Sequence, residues 1–319
     1  MIFISDWYIL PAAFLLDFLL GDPLWMPHPV RWMGKAIEAF EPRFRAKIKN
    51  TRLAGLFFAF ALISMTFVIG LMVLGLAGAV NPCFGKAIEI MMLYFAISAF
   101  SLKREALGVL TTLQGQGLVA AKKRLAMIVG RDVEPLDEEG VTRAALETVA
   151  ENFVDGVLSP LFWAGIGGAP LAMAYKMVNT LDSMVGYKDE TYKDFGWASA
   201  TIDDLFNYIP ARLSLLVISL SVWLGKGDWK QAWDIGLTQG RNHSSPNAGF
   251  PEACFAGALE VRLGGPNIYG GVSVDKPYIG SGFGPVTGKH LEQACTLLIR
   301  SSFVAVFVAM TLAHLVSLF

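Results

Sequence analysis

The chain is short of charge. Only 17% of its 319 residues are Asp, Glu, Lys or Arg, while 54% are hydrophobic, and an ordinary soluble domain carries about a quarter charged residues. Cysteine is scarce as well: Cys83, Cys254 and Cys295 lie far apart with no C-x-x-C pair. That excludes a disulfide framework and a thiolate metal site. The only stretch that imitates a phosphate loop, GSGFGPVTGKH, lacks its essentials. Phe283 stands where a Walker A motif needs its first glycine, and His290 replaces the hydroxyl residue after Lys289. A Ser-His-Asp arrangement could be drawn with Ser183 or Ser245, but there is no G-x-S-x-G elbow to support it. No internal repeat or low-complexity segment is visible. Basic clusters do not alternate with aromatic stacking residues, so nothing points to nucleic acid. Residues 1–20 carry Asp6 and Asp17 and no basic leader, and do not read as a secretory signal.

What the chain has is long apolar runs. Residues 53–80 contain no ionisable side chain, well beyond the roughly 20 residues that carry a helix across a hydrocarbon core. Residues 297–319, interrupted only by Arg300, form a second such run, and residues 87–102 a third. Arg31, Lys35, Arg43, Arg45, Lys47, Lys49 and Arg52 precede the first run, whereas the turn at 81–86 holds one lysine. The positive-inside bias therefore puts 31–52 in the cytoplasm and 81–86 outside, with Lys103-Arg104 and Lys122-Lys123-Arg124 back inside. The expected fold is an all-α, polytopic integral membrane protein. It reads as a single membrane-embedded domain over 1–319, with a cytoplasmic helical insertion at about 103–156 and a polar, Gly-rich cytoplasmic loop at about 225–290. Within the insertion, Leu107, Leu110, Leu113 and Leu118 read as one amphipathic stretch, and Asp137-Glu138-Glu139 as the acidic first turn of the next helix.

Two apolar segments are expected to be broken or re-entrant. The 157–178 segment holds Gly165-Ile166-Gly167-Gly168-Ala169-Pro170 at its centre, and 205–224 holds Asn207, Pro210 and Arg212. Non-helical backbone at membrane depth is tolerated where protein or a water-filled cavity lines it. If neither segment crosses, the polar blocks at 147–155, 179–204 and 240–289 can all face the cytoplasm.

Those blocks hold the candidate chemistry. Glu147, Glu151 and Asp155 are spaced i, i+4, i+8, a repelling stripe of about 12 Å on one helical face that only Arg143 could offset locally. A helix running straight into an apolar segment makes such acids expensive, which favours a metal or a substrate ammonium beside them. The 179–204 block is rich in acids. Asp189, Glu190 and Asp194 read as a solvated loop beside Lys188 and Lys193. Asn179 and Asp182 instead share a helix face after Lys176, and Asp203-Asp204 sit one or two turns before Arg212. Such a set suits Mg²⁺, which takes one or two carboxylates plus substrate phosphates. The block GRNHSSPNAGFPE offers Arg241, His243, Ser245, Asn247 and Glu252 in a short irregular loop, and His243 is one of only four histidines.

Several of these motifs recur in order in one family. GDPLWMPHPVRWMG, ENFVDGVLSPLFWAGIGGAP, YKMVNTLDSMVGYKDETYKDFGWASATIDDLFNYIPARL and HSSPNAGFPEACFAGAL together resemble the CobD/CbiB family of cobalamin biosynthesis, adenosylcobinamide-phosphate synthase. The likeness extends from about Leu16 to the terminal apolar run. It implies a reaction in which a free propionate of adenosylcobyric acid is joined as an amide to (R)-1-amino-2-propanol O-2-phosphate, with ATP hydrolysed and Mg²⁺ required. On that reading Glu147, Glu151, Asp155, Asp182 and His243 are the catalytic candidates, and Asp182, Asp203 and Asp204 the metal candidates. Lys176, Asn179, Arg212, Arg241, Ser245, Asn247 and Glu252 are the substrate- or nucleotide-binding candidates. The expected setting is the inner (cytoplasmic) membrane, multi-pass, with the site facing the cytoplasm. Membrane lipid, the corrinoid and the aminopropanol phosphate are the expected partners, and other membrane-bound corrinoid enzymes and a second copy of the chain are compatible ones. Two rivals are a transporter of a corrinoid or ion, against which the long spans are few and no inverted repeat is evident, and a non-catalytic scaffold, for which the acidic stripe would be unnecessary.

Overall fold

The computed structural model describes residues 6–23, 25–187 and 189–318. In chain order its helices are α1 (Ile9–Leu20), α2 (Pro29–Lys47), α3 (Thr51–Val80), α4 (Pro82–Ala96), α5 (Ala99–Gln116), α6 (Leu118–Leu125), α7 (Glu138–Phe153), α8 (Ser159–Val185), α9 (Trp197–Leu224), α10 (Trp229–Gln239), α11 (Gly249–Leu259) and α12 (Gly288–Ser317). Between α11 and α12 lie four short strands, β1 (Leu263–Gly264), β2 (Asn267–Tyr269), β3 (Val272–Val274) and β4 (Tyr278–Ile279), paired antiparallel as β1–β4 and β2–β3. The chain forms two compact units. The first comprises the described residues of Met1–Ser98, Ser159–Ile209 and Val306–Phe319; the second comprises Ala99–Leu158 and Pro210–Ala305.

The first unit is built by apolar helices packed on one another. Asn50 caps α3 by accepting the Leu53 N–H at 3.0 Å, and Asn81 caps α4 by accepting the Cys83 N–H at 2.8 Å. Thirty helical residues reach about 45 Å, enough to cross a bilayer. One face of α3 buries Phe58, Ala59 and Leu62, while Phe57, Phe60, Met72 and Leu76 are exposed. Helix faces that expose so much apolar surface are tolerable only in lipid. Five stretches have the length and composition of membrane spans: Thr51–Val80, Pro82–Gln116, Glu138–Val185, Trp197–Leu224 and Gly288–Ser317. The chain is thus an all-α, polytopic membrane protein.

The expected break in α8 is there. Gly167 (φ −141°, ψ 24°) and Gly168 (φ 67°, ψ −167°) are non-helical, and Pro170 follows. Only glycine adopts the Gly168 conformation at little cost. The expected break in 205–224 is not: α9 runs through Pro210 without interruption. Proline removes the N–H that would bond the carbonyl four residues back, and that carbonyl, Phe206 O, instead accepts the Trp163 indole N–H at 3.3 Å. A partner on a neighbouring helix thus satisfies what the sequence suggested would be lost. Asn207, also inside α9, is buried in a similar way. Its Oδ1 accepts from Ser159 Oγ at 2.6 Å and Tyr175 OH at 2.9 Å, and its Nδ2 donates to Asp203 Oδ2 at 3.0 Å.

In the second unit, α5 and α6 form a helical hairpin. Gly117 (φ 84°) separates them, so Leu118 opens a new helix rather than continuing the Leu107–Leu113 stretch. Asp137 caps α7, accepting the Gly140 N–H at 2.8 Å, with Glu138 and Glu139 in the first turn, as the sequence indicated. After Phe153 a five-residue π-turn, Val154–Leu158, interrupts the α-helical period. Asp155 therefore lies in the π-turn, outside the α-helix that carries Glu147 and Glu151.

Candidate functional site

The second unit encloses a pocket of about 220 Å³. α7 supplies Glu147, Thr148, Glu151 and Asn152 to it, the 128–131 loop supplies Arg131, and the α10–α11 region supplies His243 and Glu252. The strands close it with Gly264, Asn267 and Tyr269, joined by Lys276 from the segment before β4. Asp155 is not among the lining residues.

Glu147 anchors the pocket wall. Its side chain is 3% exposed and its Oε2 lies 2.6 Å from Arg131 Nη1. Its Oε1 accepts the Gly264 N–H at 2.7 Å and lies 3.9 Å from Arg143 Nε. Gly264 has φ 75°, the left-handed region that turns this amide inward without a steric penalty. A buried carboxylate is tolerable only when paired and hydrogen-bonded, and here it has both. Arg131 also donates to Asn267 Oδ1 at 2.9 Å; burial pushes its pKa down, but the charge and the hydrogen bond of Glu147, with smaller help from Tyr269 and Glu252, together leave it raised. Glu147 and Arg131 are thereby committed to each other.

The other wall carries His243 and Glu252. His243 Nδ1 accepts the Ser245 N–H at 3.0 Å, which assigns the ring proton of the neutral tautomer to Nε2. That nitrogen lies 3.8 Å from Glu252 Oε1, too long for a hydrogen bond. Burial, with the charge of Lys276 adding to it, pushes the His243 pKa below the usual histidine value. Burial pushes Glu252 well above the usual carboxylate range, and the negative charges of Glu147 and Glu151 push it further. Both groups therefore favour their neutral forms. Their loop is held from outside the pocket: Arg212 donates to Asn247 Oδ1 at 2.8 Å and Pro246 O at 3.1 Å and lies over the Phe250 ring. Ser245 Oγ accepts from the Asn247 and Ala248 amides at 3.3 and 3.2 Å. Arg212, Ser245 and Asn247 thus shape the His243 loop, and Arg241 is exposed.

Sequence reasoning found Glu147, Glu151, His243 and Glu252 but missed Arg131, Asn267, Tyr269 and Lys276. One signal was present. Gly270-Gly271 between NIY and VSV is a two-residue hairpin pattern, and both glycines adopt positive φ, 56° and 78°. Arg131 left no such mark, since nothing local ties it to an acid on the next helix.

The first unit holds the remaining candidates. Lys176, Asn179 and Asp182 lie on the last turns of α8 and Asp203 and Asp204 in α9. Asp182 and Asp204 are within electrostatic reach of each other and repel. At the entry to α2, His28 Nδ1 accepts the Val30 N–H at 3.2 Å and its Nε2 faces Asp22 Oδ1 at 3.3 Å, with Arg31 and Lys176 near enough to act on it. Among the described residues no group of three or more His, Cys, Asp and Glu is arranged to hold a metal ion.

Fold and pocket together define a multi-pass helical membrane protein with a small, charged, ligand-sized cavity. The comparisons make this particular: the CobD/Cbib protein model matches residues 10–298, and the chain belongs to that family. It is 45% identical over 299 residues to the cobalamin biosynthesis protein CobD of Clostridium perfringens, covering 93% of this chain and 95% of the other. It is 46% identical over 282 residues to CobD of Photorhabdus laumondii, covering 87% of each chain. With the cobalamin biosynthesis protein CbiB of Salmonella arizonae the identity is 43% over 296 residues, covering 92% and 93%. No solved structure matches the chain. The chain's role therefore lies in cobalamin biosynthesis.

Proposed function

We propose that the chain is an ATP-dependent amide synthase that joins adenosylcobyric acid to (R)-1-amino-2-propanol O-2-phosphate. The observation that carries this reading is the pocket of family-matched residues in which buried carboxylates meet cations. A carboxylate is a poor acyl donor. Attack of the corrinoid propionate oxygen on the γ-phosphorus of ATP gives an acyl phosphate and ADP. The free amine then attacks the acyl carbon, and phosphate leaves as the amide forms. The amine arrives as an ammonium, so one proton must be removed before attack.

Glu151 is suited to hold the ammonium. Glu252, whose surroundings raise its pKa, is a stronger base than an ordinary carboxylate once ionised and is suited to take the proton from that ionised fraction. His243 carries its ring proton on Nε2, 3.8 Å from Glu252, and stands beside that carboxyl rather than serving as the first acceptor. Arg212, Ser245 and Asn247 position the loop. In the first unit the mutual repulsion of Asp182 and Asp204 is what a divalent cation would relieve. Asp182 and Asp204 would hold the Mg²⁺ of MgATP together with its phosphate oxygens, with Lys176 and Asn179 of the same unit as phosphate- or nucleotide-binding candidates; Arg241, in the second unit, is a further binding candidate there. The bound Mg²⁺ supplies charge neutralisation for the transferred phosphoryl group.

The reading is tested by incubating the purified chain in detergent with adenosylcobyric acid, the aminopropanol phosphate and MgATP. Mass spectrometry should find adenosylcobinamide phosphate with stoichiometric ADP. Finding no condensation product, with corrinoid uptake into sealed vesicles instead, would establish a transporter. We further place the chain in the inner membrane with its polar pocket toward the cytoplasm, on the charge bias of 31–52. Cys83 is exposed in the first turn of α4, within 81–86, whereas Cys254 and Cys295 are buried, so the native chain carries its own reporter. A membrane-impermeant maleimide added outside intact spheroplasts should label Cys83; protection until the cells are opened would invert the topology.

A further inference from the structure

Lys276 is the pocket cation that the protein itself does not neutralise. Arg131 is consumed by Glu147, whereas Lys276 forms no ion pair among the described residues. Its hydrogen bond runs to a neutral group, Tyr269 OH, at 2.9 Å. Because that phenol oxygen accepts from Lys276, its own proton is available to donate onward. Lys276 lines the same pocket as Tyr269, Arg131 and Glu147, and Arg131 is already paired. An anionic group on a ligand would complete Lys276.

The frame that holds Lys276 is unusually well fixed for a surface hairpin. The Gly270 and Gly271 amides donate to Asp132 Oδ1 and Oδ2 at 3.2 and 2.7 Å, and the Asp132 N–H donates to Ile268 O at 2.9 Å. Asp132 neighbours Arg131, so one short loop grips both the hairpin and Glu147. On the other side of Lys276, β4 pairs with β1, whose Gly264 amide bonds Glu147. The Gly280 N–H donates to Gln239 Oε1 at 2.7 Å. Lys276 is therefore positioned from the same carboxylate that anchors the pocket wall.

We propose that Lys276, with Tyr269, is the anion-reading end of this pocket and binds the phosphate of the amine substrate, making it the group that separates the phosphate ester from the free amino alcohol. The choice of ligand rests on the amide-synthase reading. The assignment of Lys276 to an anion does not, so binding and turnover are measured separately.

Calorimetry on the full-length, detergent-solubilised chain without ATP or corrinoid compares (R)-1-amino-2-propanol O-2-phosphate with free 1-amino-2-propanol. The wild type should prefer the ester. Lys276→Met should weaken the ester by about 10–100-fold, the worth of a charge-assisted hydrogen bond, and leave the free amine unchanged, so that the preference collapses. Lys276→Arg should restore most of it, which a purely structural lysine would not require. Equal weakening of both amines in Lys276→Met, no weakening of either, or no binding of the ester by the wild type would overturn the proposal. Amide synthesis by the wild type is assayed in parallel. Selective, Lys276-dependent binding without product would sink the synthase reading alone, and product formation with an unselective Lys276→Met effect would sink the lysine assignment alone.

Discussion

Two regions of the molecule face the same problem, polar groups withdrawn from water, and answer it differently. Around Asn207 in the first unit, Ser159, Tyr175 and Asp203 take three of the amide's four bonding positions, so the network holds helices together. Around Glu147 in the second unit, one ion pair is closed, but Lys276 lines the cavity with no ion pair among the described residues. Polar satisfaction is what separates structural from functional burial here, more than the amount of charge or its depth.

The comparison breaks most sharply at Glu147. Glu147→Ala would leave Arg131 buried without its carboxylate and should cost about 3–5 kcal/mol, read as a loss of thermal stability in detergent. The paired change Arg131→Met with Glu147→Leu should recover most of that loss. If Glu147→Ala is as stable as the wild type, the pair is not the anchor. Next in size is Asp182. Asp182→Asn should lower kcat by about 10²–10³-fold, the usual loss when a group stabilising transition-state charge is removed. It should leave Tm unchanged or slightly higher, because it removes the repulsion with Asp204. A fall in Tm with full kcat would make Asp182 structural.

How much of this could be read in the chain depended on the range of the interaction. Three of the five spans, those beginning at Thr51, Pro82 and Gly288, the α7 cap at Asp137 and the Gly167-Gly168 break are set by residues within a few positions of one another, and each was legible. The Pro210 helix was not, because its repair comes from Trp163 on another helix. In the same way Glu147 and Glu151 could be picked out by their spacing, but Asp155 falls in a π-turn that the spacing did not mark and does not line the pocket. Arg131 reaches the pocket from the loop before α7 and Lys276 from the segment before β4, placements set by tertiary structure. Arg212 is a substrate- or nucleotide-binding candidate on sequence. In the structure its guanidinium is occupied by Asn247 and Pro246.

The Asn207 network gives a smaller effect than the anchor. Asn207→Leu would strand the Ser159 and Tyr175 hydroxyls and should destabilise by about 1–3 kcal/mol. Ligand affinity in the second unit's pocket should not change. Calorimetry with the aminopropanol phosphate measures that separation, and a parallel loss of affinity would show that the two regions are not independent.

The gentlest test uses pH. Glu252 is surrounded by His243, Glu147 and Glu151 together with the cations Arg131 and Lys276, and burial with the two acids raises its folded-state pKa well above the unfolded carboxylate value. A group raised in this way takes up a proton on folding. Its contribution to stability is therefore fully present below the unfolded value, about 4.3, and is lost as pH rises through the folded value. His243 runs the other way. Its folded pKa is lowered, so its contribution is present above the unfolded value of about 6.5 and lost as pH falls through the folded one. Glu252→Gln mimics the neutral acid at every pH. It should match the wild type in acid, gain on it progressively as pH rises, and leave the loss due to His243 on the acid side in place. Parallel Tm-against-pH curves for the two proteins would mean that folding does not raise the Glu252 pKa, and its assignment as the proton acceptor, which rests on that raised basicity, would be overturned.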